Sequence, residues 1–200
     1  MKTAMPVDED DQGPKNPERR RKIPRKVTPT SLENIALYYL QRFATSSENL
    51  RQVLMRRVRR SAKHHETDVE ACAQMIDELT KRYLKSGLLD DGAYARAQTA
   101  SLNRRGKSLR AIRVRLRQKG VPADVIDETL GALREEIGEP DLAAAITYAR
   151  KRRLGPYRSD GKKPLNKDKE LAALARSGFS YSLARRIVDA KDIDELDNAL

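Results

Sequence analysis

The residues in this 200-residue chain whose types and spacing point to a chemical role are mostly cations. The run from Asn103 to Lys119 holds Arg104, Arg105, Lys107, Arg110, Arg113, Arg115, Arg117 and Lys119 without one acidic residue. On a helix, Arg110, Arg113 and Arg117 fall at i, i+3 and i+7 and share a stripe, while Leu109, Ile112 and Leu116 make the buried one. Aligned like charges repel, and Glu or Asp at i, i+4 would normally relieve them. Their absence marks the face as a docking surface for an anion or an acidic surface. Arg51, Arg56, Arg57, Arg59 and Arg60, and the cluster Arg150, Arg152 and Arg153, extend the positive track. With 41 Lys+Arg against 29 Asp+Glu the formal charge is +12. A polyanion is the natural partner, nucleic acid most simply, because clustered cations release the counterions condensed on phosphates.

Other chemistries are poorly served. His64 and His65 are adjacent, point about 100° apart on a helix, and do not converge on a metal even with Glu66 and Asp68 nearby. Asp90 and Asp91 are placed as helix cap and dipole partner. Cys72, the single cysteine, sits on an apolar stripe beside Ile76 and reads as a small buried hydrophobe. There is no Walker-type phosphate loop and no G-x-S-x-G elbow. Neither catalysis nor a cofactor is expected. The tyrosines, Tyr38, Tyr39, Tyr94 and Tyr148 among them, read as core or boundary residues rather than base-stacking groups. A helix-turn-helix reader around Gly120 is disfavoured, because its second helix would bring Asp124, Asp127 and Glu128 to phosphate.

The elements that carry these residues read as helices throughout. With 38% apolar and 4% aromatic residues, a single deep core is not expected. No stretch reaches the ~18 apolar residues of a membrane span, and no secretory h-region opens the chain, so a cytoplasmic protein is expected. Residues 1–29 combine Pro and Gly, the acidic cluster Asp8 to Asp11 and a basic one from Arg19 to Lys26, and read as a disordered charged tail. Beyond it, 3.6-residue spacing predicts helices capped by Ser31 or Thr30, by Ser46 or Ser47, by Asp90 and by Ser108. On the helix after Asp90 the expected inner face is Ala93, Tyr94, Ala97 and Ala100.

The segments repeat. Leu116 to Val121 aligns with Leu174 to Phe179, and with Leu54 to Val58 where the glycine is missing. Gly120 and Gly178 fit left-handed turns after a helix. The prediction is an all-α protein of three tandem three-helix repeats, 30–87, 88–137 and 138–200, stacked in an elongated curved array. The last repeat carries a polar loop at 155–166 and a short terminal helix.

In its sequence the chain resembles the RecX family of regulators of the RecA recombinase. The residues that carry the resemblance are Ala36-Leu37-Tyr38-Tyr39-Leu40 with Arg42, Leu88-Leu89-Asp90-Asp91-Gly92-Ala93-Tyr94-Ala95, Gly106 through Leu116-Arg117-Gln118-Lys119-Gly120-Val121, and Arg176-Ser177-Gly178-Phe179-Ser180. It covers about Leu32 to Ala190. The family usually carries Arg-x-x-Ser-x-x-Glu-Leu after the first helix and a Lys-Gly-Phe type turn, where this chain has Phe43-Ala44-Thr45-Ser46 and Arg57-Val58, so the first repeat is expected to turn differently. The resemblance implies a modulator of the RecA filament on single-stranded DNA that damps ATP hydrolysis and strand exchange. A monomer with weaker direct DNA binding and no membrane partner is expected. The alternative is a general nucleic-acid binder, or a helix-turn-helix transcriptional regulator, acting without RecA.

Overall fold

The computed structural model describes residues 23–158 and 166–198. Within them lie ten α-helices and one 3-10 turn, with no strand: α1 (Pro29–Leu40), α2 (Ser47–Ala62), α3 (Val69–Lys85), α4 (Asp91–Arg104), α5 (Leu109–Gln118), α6 (Ala123–Ile137), α7 (Pro140–Arg152), α8 (Lys167–Arg176), α9 (Tyr181–Asp189) and α10 (Ile193–Asp197), the 3-10 turn being Gly155–Tyr157.

Apolar residues collect in three separate cores, one per triplet of helices. The first joins Leu32, Leu50, Leu54, Val58, Ile76 and Tyr83. The second joins Tyr94, Ile112, Leu116, Ile126 and Leu130, and the third Leu142, Ile146, Leu174, Phe179 and Ile187. The expected tandem three-helix repeats are therefore present. Leu89, which the sequence places at the start of the second repeat, is 3% exposed and packs in the first core.

Most helix starts follow the sequence. Ser46, Asp90 and Ser108 accept from the amides of Asn49 (3.2 Å), Ala93 (2.8 Å) and Ala111 (3.2 Å). The first helix differs. Thr28, not Ser31 or Thr30, is its N-cap, in a reciprocal box with Ser31, because Pro29 presets the backbone at the first helical position. Gly120 (φ +70°) and Gly178 (φ +91°) take left-handed conformations after α5 and α8. Val121 and Phe179 then bond back to Leu116 and Leu174 at 3.1 and 3.3 Å and bury their side chains. That is the six-to-one closure of a Schellman turn.

The first repeat turns differently, as expected, and two local expectations are corrected. Helix α2 runs through buried Val58 to Ala62, past the point where α5 and α8 stop, since no glycine there supplies a left-handed exit. On α4, Ala93 and Ala97 face solvent and the buried face is Tyr94, Ala95, Thr99 and Asn103. Half of that face is polar, so apolar periodicity could not reveal it; Asn103 is held by donating to Pro140 O at 2.9 Å. Order also begins before residue 30. The Val27 amide donates to Ser61 Oγ (3.2 Å), and His65 Nε2 lies 2.6 Å from Pro24 O, so His65 is half-buried rather than an exposed linker residue. Residues 1–22 of the tail expected over 1–29, and most of the loop expected over 155–166, lie outside the described residues.

Candidate nucleic-acid and protein interface

What places the cations is a joint used twice. The first four N–H groups of a helix have no intrahelical acceptor, and an N-cap side chain serves only one of them. In α2 the Ser46 hydroxyl serves the third, and the first, Ser47 N–H, is taken by Asp91 of the next repeat at 2.7 Å. The Ser47 hydroxyl donates to the same carboxylate at 2.6 Å, and Ser46 Oγ donates to Lys119 O at the end of α5. In α5 the pattern recurs. Leu109 N–H donates to Asp141 Oδ1 at 2.7 Å, and Ser108 Oγ to Ser177 O at 2.8 Å. The amino end of each second helix thus abuts the carboxyl end of the next repeat's second helix.

The glycine turns are what allow this approach. A Cβ on Gly120 would collide with the Glu48 side chain, and one on Gly178 would stand 2.5 Å from Ser108 Oγ. The sequence assigned these glycines to chain reversal; close docking is a second reason for them. Asp91 and Asp141 were not legible as joint residues. The signal that could have found them is an acidic residue in the first turn of both α4 and α7, paired with the serine caps of α2 and α5.

Two cation-bearing helix ends meet across the second joint. Arg104 closes α4, Arg105 caps it and Lys107 follows; Arg150, Lys151 and Arg152 form the last turn of α7, with Arg153 as its left-handed cap. Carbonyl ends of helices favour such charges. Gly106 brings the ends together, since a Cβ there would lie 2.9 Å from the Tyr148 backbone nitrogen. Lys151 Nζ donates to Arg105 O at 3.0 Å. Between them sits half-buried Tyr148, with the Arg152 guanidinium 5.9 Å from its ring centroid. Burial alone would raise the phenol's pKa. Hydrogen bonding to Ser177 and Arg152 and the charges of Arg152 and Lys107 outweigh it and leave the pKa below its ordinary value.

The remaining cations are divided. Arg104, Arg105, Arg110, Arg115, Arg117, Arg56, Arg57, Arg152 and Arg153 are exposed and, like Lys107, make no ion pair among the described residues. Arg113 of the expected free stripe is half-buried and pairs with Asp127 of α6. Arg51 pairs with Asp77 at 2.6 Å, Arg150 with Asp197 at 3.6 Å, and Lys119 Nζ donates to Asn49 at 3.2 Å. The repulsion that i, i+4 neighbours do not relieve is thus partly relieved from adjacent helices. Among the described residues no group of three or more His, Cys, Asp or Glu could hold a metal ion.

A family model described as RecX, second three-helix domain, matches residues 90–130, which span α4, α5 and the first half of α6. The regulatory protein RecX of Myxococcus xanthus (strain DK1622) is 44% identical over 186 residues, covering 92% of this chain and 98% of that protein. The chain belongs to the RecX family. The regulatory protein RecX of Agrobacterium fabrum is 36% identical over 178 residues, covering 84% of this chain and 92% of that protein. The fold agrees as well. The crystal structure of RecX from Lactobacillus salivarius superposes with a TM-score of 0.58 at 22% identity, over 85% of this chain and 97% of that one. As a RecX-family member, the chain is a non-catalytic regulator of RecA-mediated recombination and repair. Among the described residues, no helix is long and apolar enough to cross a membrane.

Proposed function

We propose that this RecX-family protein regulates RecA by binding the RecA filament on single-stranded DNA through the paired ends of α4 and α7, damping ATP hydrolysis and strand exchange. The observation that carries this reading is the convergence of Arg104, Arg105, Lys107, Arg152 and Arg153 from two repeats on one edge, none of them in an ion pair among the described residues. Arg110 and Arg117 of α5 add to the contact, while Arg113 acts mainly by holding α5 to α6 through Asp127. The first and third repeats would reach neighbouring protomers of the filament. The chain acts as a monomer and binds bare DNA more weakly than the filament.

The test is RecA ATP hydrolysis on preformed single-stranded DNA filaments, titrated with the full chain far below the RecA concentration. Inhibition at substoichiometric ratios is expected. The Arg104→Ala/Arg105→Ala/Lys107→Ala variant, of unchanged helicity, should need at least about tenfold more protein, since each lost charged contact costs on the order of 1 kcal/mol. Undiminished inhibition by that variant overturns the surface. No inhibition by the parent chain, together with tight, salt-dependent binding to bare nucleic acid, favours the general binder instead.

A further inference from the structure

The carboxyl end of α1 exposes aromatic surface that packing does not explain. Of the two phenylalanines in the chain, Phe179 is 4% exposed in the third core, whereas Phe43 is 54% exposed. Tyr38 is 55% exposed, contrary to its expected core or boundary place, because the inward stripe of α1 runs through Leu32, Ala36 and Tyr39 and leaves the position before Tyr39 pointing out. Large apolar rings left in water at one helix end mark an interaction site.

Their surroundings narrow the partner. The Arg42 guanidinium lies 4.3 Å from the Tyr38 ring centroid, and the Phe43 ring packs on Tyr39 with centroids 5.1 Å apart. Tyr39 is fixed in turn. Its hydroxyl accepts from Asn49 at 3.3 Å, and Asn49 accepts from Lys119 of the next repeat at 3.2 Å. The patch is therefore anchored at the first joint beside a lysine, and neither Arg42 nor Lys119 pairs with a carboxylate among the described residues. The carboxyl end of α1 thus carries exposed rings beside Arg42 and Lys119, while the ends of α4 and α7 carry free cations. An unpaired strand presents both chemistries, phosphates for the cations and open base faces for the rings. A duplex hides its bases, and an acidic protein surface offers carboxylates for the cations but no row of open base faces for the rings.

We propose that Tyr38, Arg42 and Phe43 form a stacking platform for bases of a single-stranded polynucleotide whose phosphates track along the ends of α4 and α7. This deepens the nucleic-acid part of the function proposed above, and its test is separable from RecA. Binding of the full chain to a fluorescein-labelled oligothymidine, without RecA, is measured over a salt series for the parent, Tyr38→Ala, Phe43→Ala and Tyr38→Phe. Each alanine variant should lose about tenfold in affinity with the slope against salt unchanged, since no phosphate contact is removed, while Tyr38→Phe stays near the parent. Photocrosslinking to a 5-iododeoxyuridine strand should label the segment 38–43. Folded alanine variants that bind within twofold of the parent, or crosslinks confined to other segments, overturn the platform. So does unchanged strand binding with lost inhibition of RecA ATP hydrolysis, which would make the rings a protein contact. A parent chain that binds the strand as proposed but does not inhibit RecA would instead leave the platform standing and defeat the regulatory surface.

Discussion

Replacing Asp91 by Ala strips the Ser47 amide of its acceptor. That amide is the first N–H of α2 and has no intrahelical partner; Asp91 takes it at 2.7 Å and the Ser47 hydroxyl at 2.6 Å. Hydrogen bonds to a charged group contribute about 1.5–3 kcal/mol when sheltered. Both residues are half-buried, so about 1 kcal/mol each is appropriate after solvent screening. With the lost charge at the amino end of α4, worth about 0.5 kcal/mol, the variant should lose about 2–2.5 kcal/mol at the joint. The loss falls between repeats rather than within one, because the first and second cores are separate. Amide hydrogen exchange resolved by residue is the assay. Ser47 should exchange on the order of thirtyfold faster, by the usual conversion of 1.36 kcal/mol per decade, while buried α2 amides such as that of Leu54 change much less. Asp91→Asn, which keeps the shape and one acceptor oxygen, should show roughly half the effect. Unchanged exchange at Ser47 in Asp91→Ala would refute the joint. Equal acceleration throughout α2 would show that the carboxylate stabilises the repeat rather than its junction.

Gly178→Ala should cost about 2–3 kcal/mol, with a fall in Tm read by circular dichroism. About 1 kcal/mol comes from the left-handed backbone, and the rest from pushing Ser108 Oγ off Ser177 O. Gly87→Ala, at φ +75° with no atom within 4 Å of the added Cβ, should cost only the first part; equal losses would argue against the docking role of Gly178. Stability should also depend on acid through Glu170. Burial alone would raise its pKa, but Arg158 at 2.6 and 2.8 Å and the Gly155 amide at 3.0 Å hold it below the ordinary carboxylate value. A depressed folded-state pKa contributes stability that is complete above the unfolded value of about 4.3 and is lost as pH falls through the folded one. Glu170→Gln should therefore lower Tm at pH 7 and converge on the parent in acid, and parallel Tm curves down to pH 2 would count against the pair.

What this sequence determined by itself was most of what is local in the chain. Helical periodicity, the caps at Ser46, Asp90 and Ser108 and the reversals at Gly120 and Gly178 all depend on a few neighbouring residues, so they were legible without a partner segment. So were the repeat and the concentration of arginine between Asn103 and Lys119. Two local readings failed: Thr28 displaced Ser31 because Pro29 set the start, and the inner face of α4, half Thr and Asn, carries no apolar period. Only the tertiary structure decided which cations are free. Arg113 and Arg117 look equivalent on one stripe, yet a carboxylate from α6 takes the first and leaves the second. It alone turned Asp91 from a dipole partner into an acceptor for another repeat's orphan amide, gave Asp141 the same role, brought the ends of α4 and α7 together, and left Tyr38 and Phe43 in solvent. Such pairings join residues tens of positions apart, and their geometry comes from how one repeat docks on the next, which no spacing along a single helix encodes.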